Sequence, residues 1–282
     1  MYSLFLENHK MTKLSKEQEI ILAQSKKILS GTEELAYPKI FGEGFSERVA
    51  ETPWTASHLK DAKMLLDIGF TFASFEYLGM LLELKDNYGV QIHATDIIKP
   101  EKVKNRYPAE WLNSIFEVPI TIGDVRTLEL PKNKFDAVTC ISTIEHIGFD
   151  EPAKTIKGSF ERKNTKEEVN TKRDPNTNKM VLDSVHKTLK PGGKFLISVP
   201  MGKGGPVILQ DSLGLYVAQW EYEDKSWREI TKHKGYESLE QRFFGLTDAG
   251  WQEVASPKEL LNKSSSLKPH AEGCAVCALI KK

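Results

Sequence analysis

The chain lacks the features that mark secreted and membrane proteins. It has 3 cysteines in 282 residues, and an odd, small number favours a reducing compartment over a disulfide framework. Its start, MYSLFLENHK, has no basic stretch followed by an apolar one, so no signal peptide is predicted. No apolar run approaches about 18 residues, the length of a membrane span. We therefore expect a cytoplasmic protein that does not bind membranes.

The sequence also lacks an excess of either charge. Lys and Arg together number 39, and so do Asp and Glu. Without net charge, no overall field attracts nucleic acid, and there is no basic stripe to contact a phosphate backbone. We expect a small-molecule partner and no nucleic acid. The oligomeric state stays open, a homodimer included.

What the sequence does have is a regular alternation of strand and helix patterns. Strands separated by helix-length segments predict right-handed crossovers and a parallel sheet. Two late apolar runs, 239–246 and 273–281, are joined by a segment that reads mostly as loop, and they predict an antiparallel hairpin that closes the sheet. We expect an α/β fold with seven strands, mostly parallel. The five earlier strands are predicted at 63–68, 90–96, 118–124, 134–142 and 193–200.

Two segments interrupt or precede this alternation. Residues 1–62 contain a predicted amphipathic helix whose N-cap is Ser15, with Gln18 as its capping-box partner. We expect 1–62 to be a helical extension that covers the pocket of the main domain, 63–282. Residues 151–173 are highly charged and weakly periodic, which predicts either a solvated loop or a lid beside the ligand crevice.

Acidic residues end successive strands of the predicted sheet. The first strand ends in Asp67-Ile68-Gly69, the second in Asp96 and the third in Asp124. In an open parallel sheet, ligands bind beyond the carboxyl ends of the strands. A carboxylate after the second strand can accept hydrogen bonds from both ribose hydroxyls. These acids fit NAD as well as other adenosine ligands.

The loop after the first strand has fewer glycines than a dinucleotide needs. In LLDIGFTFAS, Phe70, Thr71 and Phe72 follow the glycine, where a pyrophosphate requires close approach of the backbone. Such crowding disfavours a dinucleotide. It is compatible with S-adenosylmethionine (SAM), which has an adenosine but no phosphate.

The order of these motifs resembles that of the class I SAM-dependent methyltransferases. LLDIGFTFAS is similar to their first motif, although Thr71 and Ala73 stand where the second and third glycines fall. TIGDV, FDAVTCISTIEHIG and LKPGGKFLISVP resemble the motifs of the third, fourth and fifth strands. The resemblance covers about 63–281 and implies a Rossmann-like fold with SAM as cofactor. ERVAETPWTASHL and VPMGKGG add a narrower resemblance to a bacterial subgroup associated with surface-polysaccharide or small-molecule biosynthesis.

The resemblance also implies roles for residues that follow the first four strands. The expected cofactor contacts are Asp67, Gly69, Phe70 and Thr71 at the amino-acid portion, Asp96 at the ribose, Ile97 and Val125 against the adenine, Asp124 at its amino group, and Ile141 and Ser142 by the sulfonium.

Catalytic chemistry is expected in the loop after the fourth strand. An alcohol acceptor must lose a proton, and a histidine suits that task near neutral pH. His146 is the candidate base and Glu145 a second candidate; a role for His146 in capping the loop or contacting SAM is an alternative. No metal site is predicted, because Cys274 and Cys277 form a lone CxxC and three-residue spacing puts them on opposite faces of a strand. A divalent metal held by Asp150 and Glu151, near the expected site, stays an open alternative.

Together these patterns predict a SAM-dependent methyltransferase that methylates a hydroxyl of a small, sugar-like or natural-product molecule. Two alternatives remain at this stage. One is a non-catalytic binding module that keeps the fold, which the altered first motif favours. The other is an NAD-dependent oxidoreductase, which the helix-free final hairpin disfavours.

Overall fold

The computed structural model describes residues 13–35, 45–149, 163–210, 214–266 and 270–282. The helices are α1 (Lys16–Ser30), α2 (Arg48–Leu59), α3 (Phe75–Tyr88), α4 (Leu112–Phe116), α5 (Thr177–Thr188) and α6 (Asp224–Thr231). The strands are β1 (Met64–Ile68), β2 (Gln91–Asp96), β3 (Ile120–Ile122), β4 (Phe135–Ile141), β5 (Leu189–Pro200), β6 (Gly205–Gln210), β7 (Tyr216–Glu221), β8 (Tyr236–Thr247), β9 (Gly250–Val254) and β10 (Gly273–Lys281).

One large sheet organises the described chain, with the strand order β3-β2-β1-β4-β5-β10-β8-β9. The strands from β3 to β5 pair in parallel. β10 is antiparallel to both of its neighbours, β5 and β8. The expected α/β Rossmann-like fold, with a mostly parallel sheet and antiparallel C-terminal strands, is therefore confirmed.

The sheet has eight strands where the sequence predicted seven. The additional strand, β9, lies in the segment that was read as loop. It pairs with β8 across a short turn in which Gly250 adopts φ 96°, and it buries Trp251. A strand of five residues that begins at a glycine is too short to show the alternation of apolar and polar residues by which a strand is predicted from sequence.

A second, two-stranded ribbon lies outside the main sheet. β6 and β7 pair in antiparallel register, in a stretch whose glycine-rich start and aromatic end concealed the strands. Residue Lys163 forms a bridge with Tyr216 at the start of β7. The proposed lid therefore has two parts: 163–173 is described and contacts the ribbon, whereas 151–162 lies outside the described residues.

Helices cover both faces of the main sheet. On one face, α1, α2 and α3 contribute Ile21, Trp54 and Leu78 to one hydrophobic cluster. On the other, α5 and α6 contribute Val181 and Trp227 to a second cluster. The predicted first helix is present, with its Ser15–Gln18 capping box. In the described part of the chain, none of the helices is long and apolar enough to cross a membrane.

Candidate functional site

A pocket opens at the carboxyl ends of β1 and β4. These neighbouring strands flank the point where the strand order reverses, which is where ligands bind in open parallel sheets. Three parts of the chain line it: the start of α2, the loop from β1 into α3, and the loop that leaves β4. The lining residues are Arg48, Gly69, Phe72, Ala73, Ser74, Tyr77, Ile141, Ser142, Thr143 and His146.

Gly69 brings the first loop close to the fourth strand's exit. It has φ 94°, and an added Cβ would lie 2.4 Å from Thr143 Oγ1. Both the backbone conformation and the space therefore require glycine at this position. The single glycine that the first motif retains is the one that this close approach needs.

Asp67 lies at the end of β1 and is almost completely buried. Its Oδ1 accepts hydrogen bonds of 2.7 Å from Tyr77 and from Thr139. Its Oδ2 has no hydrogen-bond partner among the described residues. Burial raises the pKa of Asp67 to about 6, against the lowering effect of the two hydroxyl donors. A buried acceptor beside the pocket is thus available to a polar ligand.

Phe70 and Thr71 lie away from the pocket, and Phe72, Ala73 and Ser74 line it instead. Phe70 is fully buried in the first hydrophobic cluster. Thr71 is also fully buried, and its hydroxyl donates to the carbonyl of Ile98 at 2.7 Å. The loop makes a 3-10 turn at Phe70–Phe72, which turns these two side chains inward, and the sequence gives no sign of that turn.

Asp96 holds the same loop from the end of β2. Its Oδ2 accepts from the backbone N–H of Thr71 at 2.8 Å, and its Oδ1 from that of Ile98 at 3.1 Å. Burial raises the pKa of Asp96, although these backbone donors oppose the shift. Ile97 is half-buried at the edge of this arrangement. Asp96 therefore both supports the first loop and keeps further acceptor capacity.

Asp124 is clamped by an arginine that the sequence analysis did not single out. Arg126 Nε and Nη2 donate to its carboxylate at 2.9 and 2.6 Å. Arg126 Nη1 lies 3.7 Å from Asp174, at the start of the segment that leads into α5. Val125 is buried in the second hydrophobic cluster. The clamp fixes the direction of the Asp124 carboxylate at the carboxyl end of β3.

Ile141 and Ser142, at the end of β4, both line the pocket. Ser142 has φ 42°, a conformation that non-glycine residues rarely adopt and that is often found at functional sites. Its N–H donates to Ser198 Oγ at 2.9 Å and its hydroxyl to Glu51 Oε1 at 3.0 Å. Glu51 is fully buried and so contacts the pocket through Ser142.

A group of buried glutamates surrounds Arg48, and we call Glu47, Glu51, Glu76 and Glu145 the glutamate cluster. Arg48 Nη1 donates to Glu51 Oε2, and its Nη2 lies 3.9 Å from Glu47 Oε1. Burial raises the pKa of Glu47 to about 7 and that of Glu145, with a contribution from Glu51, to about 8. Burial also raises the pKa of Glu76.

His146 ends a 3-10 turn, Ile144–His146, and lines the pocket. Its Nδ1 lies 3.1 Å from the carbonyl oxygen of Ala218 on β7. A carbonyl only accepts, so Nδ1 carries the proton and Nε2 of the neutral ring is an acceptor. Glu145 is nearly fully buried and does not line the pocket. Of the two candidate bases, only His146 reaches the place where a ligand would lie.

Other chemistry-bearing residues lie elsewhere. Trp54 is fully buried and donates to Glu240 at 3.1 Å, so it packs in the core rather than over the pocket. Cys274 and Cys277 are buried in β10. Within the described ranges, which do not include Asp150 and Glu151, no three His, Cys, Asp or Glu side chains are arranged to hold a metal ion.

Arg48 and Tyr77 line the pocket but were not predicted from the sequence as pocket residues. The segment ERVAETPW carries a signal in retrospect, because its charged residues recur at three- to four-residue spacing in an otherwise apolar helix. A buried glutamate needs a partner, and Arg48 is the nearest cation on that helix. Tyr77 gives no such signal, since an aromatic residue at helical spacing usually packs in a core.

One part of the chain matches the model of a described protein family. Residues 67–160 match the family described as Methyltransferase domain, which agrees with the expected cofactor, SAM. No match was found among curated proteins. The matched range contains every expected cofactor and catalytic residue.

Solved structures share the fold at low sequence identity. A SAM-dependent methyltransferase from Methanosarcina mazei is 13% identical with a TM-score of 0.51, covering 81% of this chain and 97% of that one. A Pyrococcus horikoshii protein is 15% identical with a TM-score of 0.50, covering 87% and 95%. A Burkholderia thailandensis 1,6-didemethyltoxoflavin N1-methyltransferase, solved with S-adenosylhomocysteine, is 15% identical with a TM-score of 0.48, covering 97% and 93%. The chain thus combines a methyltransferase-domain match at 67–160 with a fold found in a solved SAM-dependent methyltransferase.

Proposed function

We propose that this protein is a SAM-dependent methyltransferase whose acceptor is a small molecule with a hydroxyl group. The observation that carries the proposal is the convergence of Gly69, Ser142 and His146 on one pocket at the reversal of the strand order. Gly69 belongs to the loop after β1, and Ser142 and His146 to the loop after β4, so the two loops meet at this pocket. The methyltransferase-domain match over 67–160 supports the reaction class.

The residues around the pocket fit SAM. Gly69 allows the close backbone approach, and the unpartnered Oδ2 of Asp67 offers a buried acceptor. Asp96 would hold the ribose and the clamped Asp124 the adenine amino group, with Ile97 against the ring. Arg48 places a guanidinium in the pocket wall. When bound, SAM supplies a methyl group on a positively charged sulfur.

His146 would accept the proton of the acceptor hydroxyl while the hydroxyl oxygen takes the methyl group from the sulfur of SAM. The Ala218 carbonyl fixes the ring with Nδ1 protonated, which leaves Nε2 as the proton acceptor. We assign this role to His146 rather than Glu145 because Glu145 is buried behind the pocket wall. Ile141 and Ser142 would flank the reacting centre from the end of β4.

The acceptor and the covering segments are further parts of the proposal. Balanced charge and the resemblance to the bacterial subgroup favour a sugar-like or natural-product acceptor over nucleic acid. Residues 1–62 would cover the pocket, which the position of Arg48, at the start of α2 and in the pocket wall, supports. Residues 151–173 would close over the acceptor, which the contact between Lys163 and Tyr216 supports.

Two experiments test this function. Isothermal titration calorimetry with SAM, S-adenosylhomocysteine and NAD should give binding of the first two only. A transfer assay with methyl-labelled SAM over a panel of hydroxyl-bearing sugars and natural products should then reveal turnover. NAD binding without SAM binding would contradict the proposal. SAM binding with no transfer to any class of acceptor would favour a non-catalytic binding module.

A further inference from the structure

Glu51 lies behind the pocket and holds two residues of its wall. It is fully buried on α2 and does not itself line the pocket. Its Oε2 accepts a hydrogen bond from Arg48 Nη1, three residues earlier on the same helix, and its Oε1 accepts one from the Ser142 hydroxyl at 3.0 Å. Arg48 and Ser142 both line the pocket. One buried carboxylate thus ties the start of α2 to the loop that leaves β4.

Arg48 keeps most of its hydrogen-bonding capacity. Within the described ranges, the guanidinium makes one hydrogen bond, to Glu51, and its Nη2 lies 3.9 Å from Glu47 Oε1, beyond hydrogen-bonding distance. The side chain is 20% exposed, and of the described residues that line the pocket, Arg48 alone carries a permanent charge. Because a guanidinium matches the planar fork of a carboxylate, the remaining N–H groups suit a carboxylate in the pocket.

The hydroxyl groups around Arg48 have the opposite polarity. Three of them donate their protons to protein acceptors at 2.7 to 3.0 Å: Tyr77 to Asp67, Ser142 to Glu51 and Thr143 to the carbonyl of Ile141. Towards a ligand, these three oxygens can only accept hydrogen bonds, whereas a guanidinium can only donate them. The wall therefore fits a ligand that has a carboxylate close to N–H or O–H groups.

Resting on the proposed function, we propose that Glu51 is a positioning residue, which holds Arg48 in the pocket wall to bind a carboxylate and directs the lone pairs of Ser142 towards a hydrogen-bond donor. Glu51 acts through these two side chains and does not touch the ligand. The carboxylate has two possible sources: the amino-acid portion of the cofactor, or an acceptor that is itself an acid.

Glu51→Gln is the sharpest change, because glutamine keeps the shape of glutamate but has one acceptor oxygen and one NH2 group. If that oxygen accepts from Arg48, the NH2 group donates to Ser142, and the serine proton then turns into the pocket. If the oxygen accepts from Ser142 instead, the NH2 group faces the guanidinium and displaces it. In both arrangements one of the two wall residues loses its orientation.

The cofactor is tested by calorimetry with S-adenosylhomocysteine and its decarboxylated form, which keeps the ammonium. If Arg48 binds the cofactor carboxylate, the wild type should bind the complete molecule about tenfold or more tightly. Glu51→Gln and Arg48→Gln should remove most of this preference and change the affinity for the decarboxylated form by less than about twofold. A merely structural role for Glu51 would weaken both ligands alike and leave their ratio unchanged.

Two further variants complete this comparison. Removing one partner of a buried ion pair is costly for folding, so the double variant Glu51→Gln/Arg48→Gln removes both charges together. It should lose the preference to the same extent as Arg48→Gln alone, because Glu51 acts through Arg48. Glu19→Gln, at an exposed glutamate on α1, is the control and should change neither affinity.

The acceptor is tested with glucuronate and glucose as probes, added to protein saturated with S-adenosylhomocysteine and followed by ligand-observed NMR. If Arg48 binds a carboxylate of the acceptor, glucuronate should bind the wild type, and Glu51→Gln and Arg48→Gln should each weaken it by about tenfold or more. Neither variant should alter the response to glucose. Unchanged affinities for both S-adenosylhomocysteine and glucuronate in the two variants would overturn the inference. Failure of SAM and S-adenosylhomocysteine to bind the wild type would instead overturn the proposed function.

Discussion

His146 Nδ1 and the carbonyl oxygen of Ala218 lie 3.1 Å apart. The contact joins the loop that leaves β4 to a ribbon outside the main sheet. It sets both the ring direction and the protonated nitrogen of the proposed base. The β6–β7 ribbon therefore contributes to the geometry of the pocket, although it lies outside the matched range 67–160.

Replacing His146 with Gln should separate catalysis from binding. If His146 is the base, His146→Gln lowers kcat by about 10²- to 10⁴-fold and leaves the SAM dissociation constant nearly unchanged. Steady-state methyl transfer and calorimetry measure the two quantities. A weaker SAM affinity with full kcat at saturation would make His146 a binding residue instead.

Arg173 should position the loop that carries His146. Its Nη2 donates to the carbonyl of Ile144 at 2.8 Å and its Nε to that of Ile147 at 2.9 Å, so it fixes the backbone on either side of the proposed base. Because lysine cannot make both bonds, we expect Arg173→Lys to lower kcat by about tenfold or more with the SAM affinity retained.

The matched control for this variant is Arg228→Lys. Arg228 is an exposed arginine on α6 that pairs with Asp224 four residues earlier, so its replacement should leave kcat unchanged. Histidine NMR signals give a second readout. The signal of His146 is assigned as the one that is lost in His146→Gln, and we expect Arg173→Lys to shift it. An unshifted signal together with normal kcat would show that Arg173 has no positioning role.

Gly69→Ala should destabilise the protein and abolish SAM binding. Gly89 also has positive φ but has open space around its Cα, so Gly89→Ala isolates the backbone cost, about 1 kcal/mol. In Gly69→Ala, the clash with Thr143 should lower the free energy of unfolding by about a further 1–3 kcal/mol. Urea denaturation measures both, and adding Thr143→Ala should recover part of the Gly69→Ala loss. Equal losses in the two glycine variants would contradict the close approach.

Glu145 should make the protein less stable as the pH rises. Its pKa is about 8 in the folded protein against an ordinary value of 4.5, so unfolding releases a proton between these values. The free energy of unfolding therefore falls with increasing pH across this window. Glu145→Gln removes this contribution, so its stability should fall less steeply than that of the wild type between about pH 5 and about pH 8. Parallel urea curves that show equal pH dependence would disprove it.

Glu240 should make the protein more stable as the pH rises from the acid range. Hydrogen bonds from His58, Arg242 and Trp54 lower its pKa from 4.5 to about 2, so its contribution is present above 4.5 and is lost as the pH falls through the folded value. Glu240→Gln should destabilise the protein at neutral pH, and the difference from wild type should shrink below about pH 3. A difference that is independent of pH would mean that packing, rather than charge, causes it.

The sequence predicted the structure correctly where a residue pattern repeats, and failed where a single local contact sets the direction of a side chain. Strand ends at Asp67, Asp96 and Asp124 follow from hydrophobic runs that stop at an acid, and a parallel sheet brings such ends to one edge. The inward turn of Phe70 and Thr71 depends on one 3-10 turn. No periodicity encodes a three-residue turn, so the sequence pointed to Phe70 and Thr71 where Phe72 and Ala73 line the pocket.

The glutamate cluster shows the same limit for electrostatics. Glu51 and Glu145 are far apart in sequence, and burial is what makes their charges interact. A sequence shows four glutamates among 39 acidic residues, with nothing to distinguish them from solvated ones. Tertiary packing against Arg48 creates the cluster, and the fold must be known before its chemistry can be read.

The position of β10 also orders the assembly of the sheet. β10 lies between β5 and β8, although it follows both in the chain. During synthesis, the parallel half from β3 to β5 can assemble while β10 has not yet been made, because domains begin to fold as the chain emerges. β8 and β9 can pair with each other at that stage, but they cannot join the sheet. A nascent chain that stops before Gly273 therefore exposes the open edge of β5, and such intermediates are the ones that a chaperone would need to protect.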